Sequence, residues 1–409
     1  MSVLFGHPSG NPFSHHAALA HVEAGWLESF CVPWMPAAAT LEFLGLVAPL
    51  RPLASRLSRR HFAPLARAPK TQGRIGELCR LAARGLGFDS NRIAIQANEW
   101  LMRTMTAGMD LPRVSAVHAY EDCSLRQFRA AQRLGKACIY DMPIGYYTAW
   151  NAARVRLARK YADWLPADDD AMHVPPEQKR EEMELADLVL APSGFVAGTI
   201  REANAGKRVV IARYGVDAQQ WPLAPDRPAG RALTFLFAGQ CSLRKGVPLL
   251  LQAWRAAALP DARLQLVGPW RLAEAKKKEL PPGCTWAGPV SSEHLRAIYA
   301  GADVFLFPTN FEGRALVVGE ALASGLPVLT TKESGMDDAV DRSCGRIVTA
   351  DALDELVESL RWFAQQRNNL PDMRQAARMK AEECTWDNYR ASVAAAVRPF
   401  ASWRDRLSP

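Results

Sequence analysis

The sequence predicts an α/β protein with two doubly wound domains in tandem, each a parallel sheet between layers of helices. Three observations lead to this fold. The 409 residues suggest two domains, short apolar strand patterns alternate with helical ones, and a stretch rich in Pro, Ala, Asp and Gly interrupts the alternation after residue 218. Because ligands of such folds bind at the carboxyl ends of the strands, we expect the functional site in a cleft between the two domains.

Each half of the chain contributes its own run of elements. In the first half we predict strands at residues 2–7, 30–34, 113–118, 136–141, 187–191 and 208–212, with helices at 17–24, 93–105, 125–134, 147–161 and 177–186. The linker covers residues 218–231. After it we predict strands at 233–238, 263–267, 303–308 and 327–330, helices at 247–258, 292–300 and 316–324, and a helical tail from Pro371. The domains are therefore expected at residues 1–217 and 232–385.

Composition excludes several classes of protein. With 49% hydrophobic and 22% charged residues, the chain is neither disordered nor a coiled coil. The sequence contains no run of about 18 uncharged apolar residues, so no transmembrane helix is predicted. The N-terminus lacks the features of a signal peptide. The eight cysteines are scattered without metal-ligand spacing. This favours reduced thiols in a cytoplasmic protein over a zinc site or a disulfide framework.

The net charge of +8 is concentrated in one segment. Between Arg51 and Arg84, nine Lys and Arg residues accompany a single acid, Glu77, and prolines interrupt the stretch. One interpretation is a solvated, mobile loop. The other is a patch for an anionic partner, such as an anionic membrane at the inner membrane face. Nucleic acid is disfavoured as the partner, because no common nucleic-acid-binding motif occurs in the chain.

The first motif with chemical meaning is Phe237-Ala-Gly239-Gln240-Cys-Ser-Leu-Arg244-Lys245-Gly. It places two adjacent cations between the end of a strand and the start of a helix. Free amides at a helix start favour an anion, so the motif predicts a phosphate site. A basic surface turn is the alternative, and the motif does not match a P-loop.

The second motif is more specific. It runs from a buried strand ending at Pro308, through Glu312, to a helix that carries Glu320, with seven residues between the two acids. One carboxylate can therefore lie at the mouth of the helix and the other along its inner face. The free amides of the first turn, at residues 314–317, would favour an anion beside them. The motif thus offers carboxylates for sugar hydroxyls next to amides for a phosphate.

On these motifs the chain is similar to the retaining nucleotide-sugar glycosyltransferases of family 4, also called group 1. The E-x7-E element, with A-L-A-S-G-L-P-V after it, is the most specific match. Tyr214-Gly-Val-Asp217, Leu266-Val-Gly268 and Thr385-Trp386 support it. The resemblance implies the GT-B fold, in which two Rossmann-like domains face each other across a cleft. It also implies that the N-terminal domain binds the acceptor and that the last helix, in residues 386–409, packs back on that domain.

The resemblance further implies roles for individual residues. Lys245 corresponds to a diphosphate-binding lysine, Glu320 to the acid that binds the ribose hydroxyls, and Glu312 to the acid that faces the donor sugar. The expected catalytic residues are Glu312, Lys245, Arg244 and His118. The expected donor-binding residues are Gly10 in the first loop, Gly268 and Val290 around the nucleobase, and Gly239, Gln240, Arg244, Lys245, Glu312, Gly313, Arg314, Ala315, Leu316 and Glu320.

Three positions depart from the family pattern. Gln240 stands where an arginine is usual, so Arg244 is expected to supply the missing cation. Arg314 replaces the phenylalanine of Gly-Phe-Gly-Leu and would put a charge near the donor sugar or phosphate. The strand that ends at Asp141 lacks the usual histidine. His118, at the end of the preceding strand, either lies near the cleft or is a strand-end histidine without catalytic work.

The implied activity is transfer of a sugar, of the hexosyl type, from a nucleotide diphosphate donor to a glycan or lipid-linked acceptor with retention of configuration. No cofactor or metal is expected. Asp168-Asp-Asp170 offers the D-x-D of metal-dependent transferases, but it lies in a polar loop with no strand before it. Two alternatives stay open: a degenerate member that binds a nucleotide sugar or glycan without turnover, and a sugar-nucleotide epimerase on the same fold.

Overall fold

The computed structural model describes residues 2–85, 90–166, 175–223 and 230–401. Its N-terminal sheet is parallel and has seven strands in the order β3-β2-β1-β4-β5-β6-β7. These strands are β1 Ser2–Gly6, β2 Leu27–Val32, β3 Lys70–Gln72, β4 Val114–Tyr120, β5 Ala137–Asp141, β6 Leu188–Ala191 and β7 Val209–Ile211.

The C-terminal sheet is also parallel and has six strands in the order β10-β9-β8-β11-β12-β13. They are β8 Leu233–Ala238, β9 Ala262–Val267, β10 Cys284–Trp286, β11 Val304–Phe307, β12 Val328–Thr331 and β13 Gly345–Val348. The strand order reverses between β1 and β4 in the first sheet and between β8 and β11 in the second. In doubly wound folds a ligand binds in the crevice at such a reversal, so the loops after β8 and β11 stand at the expected place.

Fifteen helices lie in the described part of the chain. In the N-terminal half they are α1 Pro12–Glu23, α2 Ala38–Leu46, α3 Arg51–Ser58, α4 Arg74–Gly85, α5 Ser90–Ala107, α6 Leu125–Arg133, α7 Tyr147–Lys160, α8 Pro176–Leu185 and α9 Gly194–Ala203. In the C-terminal half they are α10 Val247–Ala257, α11 Ser292–Gly301, α12 Leu316–Ala323, α13 Leu353–Gln365, α14 Leu370–Glu383 and α15 Trp386–Ala401.

The last helix, α15, packs against the first, α1, on one face of the N-terminal sheet. Tyr389, Val393 and Val397 of α15 are buried with Val3 and Phe5 of β1 in one apolar cluster. At the edge of this contact the Arg390 guanidinium lies 2.9 Å from the Glu23 carboxylate. The chain therefore crosses between the two domains twice, once before β8 and once between α14 and α15.

The predicted fold class, an α/β chain with two doubly wound Rossmann-like domains, is confirmed. The predictions missed the strands β3, β10 and β13 and the helices α2, α3, α4, α9 and α13. Part of the predicted linker, residues 224–229, and Asp168-Asp-Asp170 lie outside the described residues. The domain boundaries stay predictions. Within the described part of the chain, no helix combines the length and apolarity needed to cross a membrane.

The basic segment is not the mobile loop of the first interpretation, because it contains α3, β3 and α4. Three of its cations serve the fold. Arg60 and Arg80 lie 3.0 and 2.6 Å from the Glu77 carboxylate, and the Lys70 ammonium donates to three backbone carbonyls at 2.6–2.9 Å. Among the cations of the segment whose exposure the structure describes, Arg51, Arg56, Arg59, Arg67 and Arg74 remain exposed.

Candidate active site

Two loops of the C-terminal domain, after β8 and after β11, lie against each other at the reversal of strand order. Several hydrogen bonds join them. The Asn310 N–H donates to the Arg244 carbonyl at 2.8 Å, the Thr309 hydroxyl donates to the same carbonyl at 3.0 Å, and the Asn310 side-chain amide donates to the Leu243 carbonyl at 3.0 Å. The two sequence motifs, about 65 residues apart, thus form one site.

Gly246 allows this close approach. It has φ = 72°, and a Cβ atom there would lie 1.9 Å from the Pro308 carbonyl oxygen. Only glycine adopts this left-handed conformation without strain and also needs no room for a Cβ atom. The turn before α10 therefore depends on this residue, and with it the position of the preceding Lys245.

Lys245 and Arg244 both face Glu312. The Lys245 ammonium is paired with the Glu312 carboxylate, and the Arg244 guanidinium lies 3.4 Å from the same oxygen. Burial and the neighbouring Arg244 lower the pKa of the Lys245 ammonium, so an anion beside it is needed to favour the charged form. Two cations on one carboxylate make a site that can hold a larger anion.

Glu320 lies on α12. The Tyr299 hydroxyl, from α11, donates to its carboxylate at 3.5 Å and to the Val317 carbonyl at 3.2 Å. Burial raises the pKa of Glu320 to about 7, and the hydrogen bond from Tyr299 opposes the shift. The sequence analysis did not identify Tyr299, because a tyrosine in a predicted helix carries no signal of a partner in another helix.

The start of α12 is free of side-chain capping. The Ala315 N–H donates to the Ser334 carbonyl at 2.9 Å, so it is not among the free amides expected at residues 314–317. The N–H groups of Leu316 and Val317 have no acceptor within the described residues, and both residues are partly exposed. This helix start therefore offers two amides for an anion.

Arg314 does not point toward the anion site, which corrects the expectation that its charge lies near the donor. The side chain is 4% exposed. Its guanidinium donates to the Tyr214 carbonyl at 3.1 Å, the Gly335 carbonyl at 2.9 Å and the Asp338 carboxylate at 2.6 Å. It also contacts the Cys384 sulfur at 3.7 Å. Because Tyr214 and Cys384 begin the two crossings between the domains, Arg314 ties both crossings to the loop that carries Glu312.

The same loop contacts the N-terminal domain. The Ser193 hydroxyl, which also caps α9, donates to the Gly313 carbonyl at 2.7 Å. A Cβ atom on Gly313 would lie 1.6 Å from the Pro143 carbonyl oxygen, so no larger residue fits there. The Phe311 ring packs on Trp150 and Phe195, with ring centroids 5.3 and 5.4 Å apart. Glu312 is thus held at the boundary between the two domains.

Gly268, one of the two residues expected around the nucleobase, lies against Gly239, because a Cβ atom on Gly268 would be 2.0 Å from the Gly239 carbonyl oxygen. The Gly239 N–H donates to the Val267 carbonyl, and the Gly268 N–H donates to the Gly288 carbonyl, both at 2.9 Å. The Gly268 carbonyl accepts a hydrogen bond from the Trp286 indole at 2.9 Å. Two further expected residues differ in exposure: the Gln240 side chain is exposed, and Val290 is partly buried against the C-terminal core.

His118 lies inside the N-terminal domain and not at its surface. It belongs to β4, is fully buried, and shares a 2.9 Å hydrogen bond with His21 of α1. Its other ring nitrogen is 3.7 Å from the Asp141 carboxylate. Burial lowers the pKa of His118 and raises that of Asp141 to about 7. Of the two alternatives for His118, the structure therefore favours the histidine without direct contact with a substrate.

Gly10 precedes α1 and adjoins His15, the Nε2 atom of which would be 3.1 Å from a Cβ at this glycine. The capping box of α1 fixes the loop, because the Asn11 side chain accepts from the Ser14 N–H and the Ser14 hydroxyl accepts from the Asn11 N–H.

The described residues contain no group of three or more His, Cys, Asp or Glu side chains that could hold a metal ion.

By its two facing Rossmann-like domains the chain has the GT-B fold, and solved structures agree. Sucrose-phosphate synthase from Thermosynechococcus elongatus matches with a TM-score of 0.65 and 14% identity, over 98% of each chain. The lipopolysaccharide outer core galactosyltransferase WaaB matches with a TM-score of 0.63 and 14% identity, over 98% of this chain and 99% of the other. HepE from Anabaena, solved in complex with UDP and glucose, matches with a TM-score of 0.60 and 14% identity, over 98% and 100%.

Residues 232–366 match the family model described as "Glycosyl transferases group 1". Glycogen synthase of Mycobacterium tuberculosis is 24% identical over 259 residues, 60% of this chain and 53% of the relative. An MMP alpha-(1->4)-mannosyltransferase of Mycolicibacterium hassiacum is 28% identical over 229 residues, 53% and 55% of the two chains. The chain thus spans about half the length of these curated relatives. Together with the fold, these matches show that residues 232–366 are similar to the group 1 glycosyltransferases.

Proposed function

We propose that this protein transfers a sugar, of the hexosyl type, from a nucleotide diphosphate sugar to a hydroxyl group of a glycan or lipid-linked acceptor, with retention of configuration. One observation carries the proposal: Lys245 and Arg244 converge on Glu312 at the domain boundary, four residues before the free amides that begin α12. This arrangement combines cations for a diphosphate with a carboxylate for a sugar. The similarity to curated glycosyltransferases supports it.

The donor would bind along α12. Its diphosphate takes the place of the Glu312 carboxylate beside Lys245 and Arg244 and accepts hydrogen bonds from the Leu316 and Val317 amides. The Glu320 carboxylate accepts the ribose hydroxyls, and Gly268 and Val290 adjoin the base. The structural neighbour solved with UDP, and also with UDP-glucose, supports a nucleotide donor in this fold.

The reaction needs few side chains. As the bond from the anomeric carbon to the diphosphate breaks, the two cations and the helix-start amides stabilise the departing diphosphate. The acceptor hydroxyl attacks from the same face, which retains the configuration, and a phosphate oxygen takes its proton. Glu312, released from Lys245, holds hydroxyl groups of the donor sugar. The contacts of Gly313 with Pro143 and Ser193 keep this constellation closed against water.

Retention and the lack of a metal rest on the family resemblance, and both are open to direct tests. Two cations already stand where a metal would neutralise the diphosphate, so we propose that turnover persists in EDTA. We also propose a cytoplasmic location, which the eight free cysteines support because cytosolic thiols stay reduced.

The test is turnover with a panel of UDP, GDP and ADP sugars and with glycan and lipid-linked acceptors, read as release of the nucleotide diphosphate. The anomeric configuration of the product follows from its NMR couplings. A sugar nucleotide that binds without any release, with or without acceptor, would instead identify the degenerate binding protein. The substitution of the usual arginine by Gln240 and the burial of His118 favour that second candidate.

A further inference from the structure

The N-terminal domain carries an apolar segment that its own fold leaves uncovered. We call residues 38–50 the apolar tip; they form α2 and the turn that leads into α3. Thr40 and Glu42 are its only polar residues, and none of its side chains is buried. Phe43 and Leu46, one turn apart on α2, are 64% and 80% exposed. Within the described chain α2 packs chiefly on α3, so this apolar surface stays in contact with solvent.

Exposed arginines follow the apolar tip directly. Arg51 begins α3, and its guanidinium donates to the Gly45 carbonyl of the tip at 3.2 Å. Arg56 lies on α3 and Arg59 directly after it. The two are three residues apart and therefore lie on the same side of the helix. All three are exposed, and in the described part of the chain no carboxylate pairs with them. Apolar and cationic surfaces are thus adjacent on one helical hairpin.

A single kind of partner satisfies both surfaces. Contiguous exposed apolar side chains mark an interaction site. Nucleic acid would neutralise the arginines but leave Phe43 and Leu46 in water, and an apolar groove of a protein would cover the tip but not the cations. A bilayer with anionic headgroups takes up apolar side chains at the acyl boundary and binds arginines at its phosphates.

We propose that the apolar tip inserts into the interface of an anionic lipid bilayer, with Arg51, Arg56 and Arg59 at the level of the lipid phosphates. This inference deepens the proposed function, because the tip belongs to the domain assigned to the acceptor and a lipid-linked acceptor would be present at that surface. Docking is measured without donor or acceptor. Its failure is therefore distinguishable from a failure of glycosyl transfer.

The experiment is co-sedimentation of the full chain with vesicles of phosphatidylcholine alone or with phosphatidylglycerol. We expect binding only to the anionic vesicles, weaker in 0.5 M than in 0.1 M salt because salt screens the arginines. The double variant F43E/L46E and the triple variant R51Q/R56Q/R59Q should each lower the partition coefficient about tenfold or more. E42Q removes the one acid of the tip and should raise it.

Two control variants make the same kinds of substitution at exposed residues outside the apolar tip and its arginines. M379E puts an acid at an exposed apolar residue of α14, and R133Q/R159Q/R201Q removes three exposed arginines of the N-terminal domain outside the tip. Both should bind as the unaltered protein does. Equal binding by the F43E/L46E variant and the unaltered protein would overturn the proposal, as would indifference to lipid charge or no binding at all. A fall in molecular mass caused by F43E/L46E in lipid-free solution, with vesicle binding unchanged, would assign the tip to contact between two copies.

Discussion

The Lys245 ammonium is paired with the Glu312 carboxylate, and Arg244 lies 3.4 Å from the same oxygen. The two residues that the family resemblance assigns to different parts of the donor therefore contact each other. A diphosphate brings more negative charge than one carboxylate, so it can displace Glu312 and leave it free for the sugar. Under the proposed function, donor binding and the placement of Glu312 against the sugar are therefore one event.

We predict that Lys245→Ala lowers turnover more than donor affinity. The charge of Lys245 matters most when the leaving diphosphate becomes fully anionic, and loss of one such stabilising group costs about 10²–10³ in kcat. The measurement is kcat and KM for the donor, with Lys207→Ala as the control, because the Lys207 ammonium donates to the Glu184 and Ala186 carbonyls of the N-terminal domain. An equal loss in both constants would indicate ground-state binding alone.

We predict that donor binding depends on the ionisation of Glu320. The pKa of its carboxyl is raised to about 7, and a ribose hydroxyl binds an ionised acceptor more tightly than a neutral one. Donor affinity should therefore rise with pH through about 7 and level off above it. Glu320→Ala should cost about 1.5–3 kcal/mol of donor binding and abolish the pH dependence.

Tyr299→Phe provides the matched control for this prediction. The Tyr299 hydroxyl bonds to Glu320 and lowers the pKa of that carboxyl, so its removal should raise the pKa. The midpoint of the affinity profile should therefore move to higher pH while the saturating affinity stays nearly the same. Titration calorimetry with a nucleotide diphosphate at several pH values measures both quantities. A flat profile in the unaltered protein would contradict the assignment of Glu320.

We predict that Arg314→Met lowers kcat about tenfold and also lowers the melting temperature. The arginine bonds to both crossings between the domains and to Asp338, so its loss should loosen the closed arrangement. Methionine has a similar volume but leaves the Tyr214 and Gly335 carbonyls and the Asp338 carboxylate without the Arg314 donors, and removal of one partner of a buried pair destabilises the fold. Asp338→Asn, which also weakens the 2.6 Å ion pair with Arg213, should act in the same direction. Unchanged kcat in both variants would show that the junction does not govern transfer.

We predict that the stability of the Asp141→Asn variant, relative to that of the unaltered protein, is greater at alkaline pH than at acidic pH. Burial raises the pKa of Asp141 from 3.8 to about 7, so the folded state holds a proton that the unfolded state has already lost. The stabilising contribution of this group is present below pH 4 and is lost as the pH rises through 7. The difference in melting temperature between the variant and the unaltered protein, followed from pH 5 to 8.5, should therefore grow up to about pH 7 and then level off. A constant difference would contradict the burial of an uncompensated carboxyl.

Much of the C-terminal half could be predicted because its strands are short, apolar and fully buried. Residues 304–307 and 233–238 consist almost entirely of buried apolar residues, and such runs between helical patterns indicate a parallel sheet. The edge strands β3, β10 and β13 have three or four residues and partly exposed side chains, so they leave no pattern to detect. The apolar tip was missed for a related reason, because its apolar residues have no polar face from which a helical period could be read.

The sequence by itself determined the parallel α/β class and the two motifs around Lys245 and Glu320, because residue order and periodicity act over one strand, loop and helix at a time. Only the tertiary structure decided which side chains of distant segments meet. It paired Lys245 with Glu312 and Tyr299 with Glu320, buried His118 beside His21, and turned Arg314 away from the anion site to the carbonyls of the two crossings. The reason is geometric: the direction of a side chain and the partners that satisfy it depend on the packing of whole elements, and local spacing carries no information about that packing.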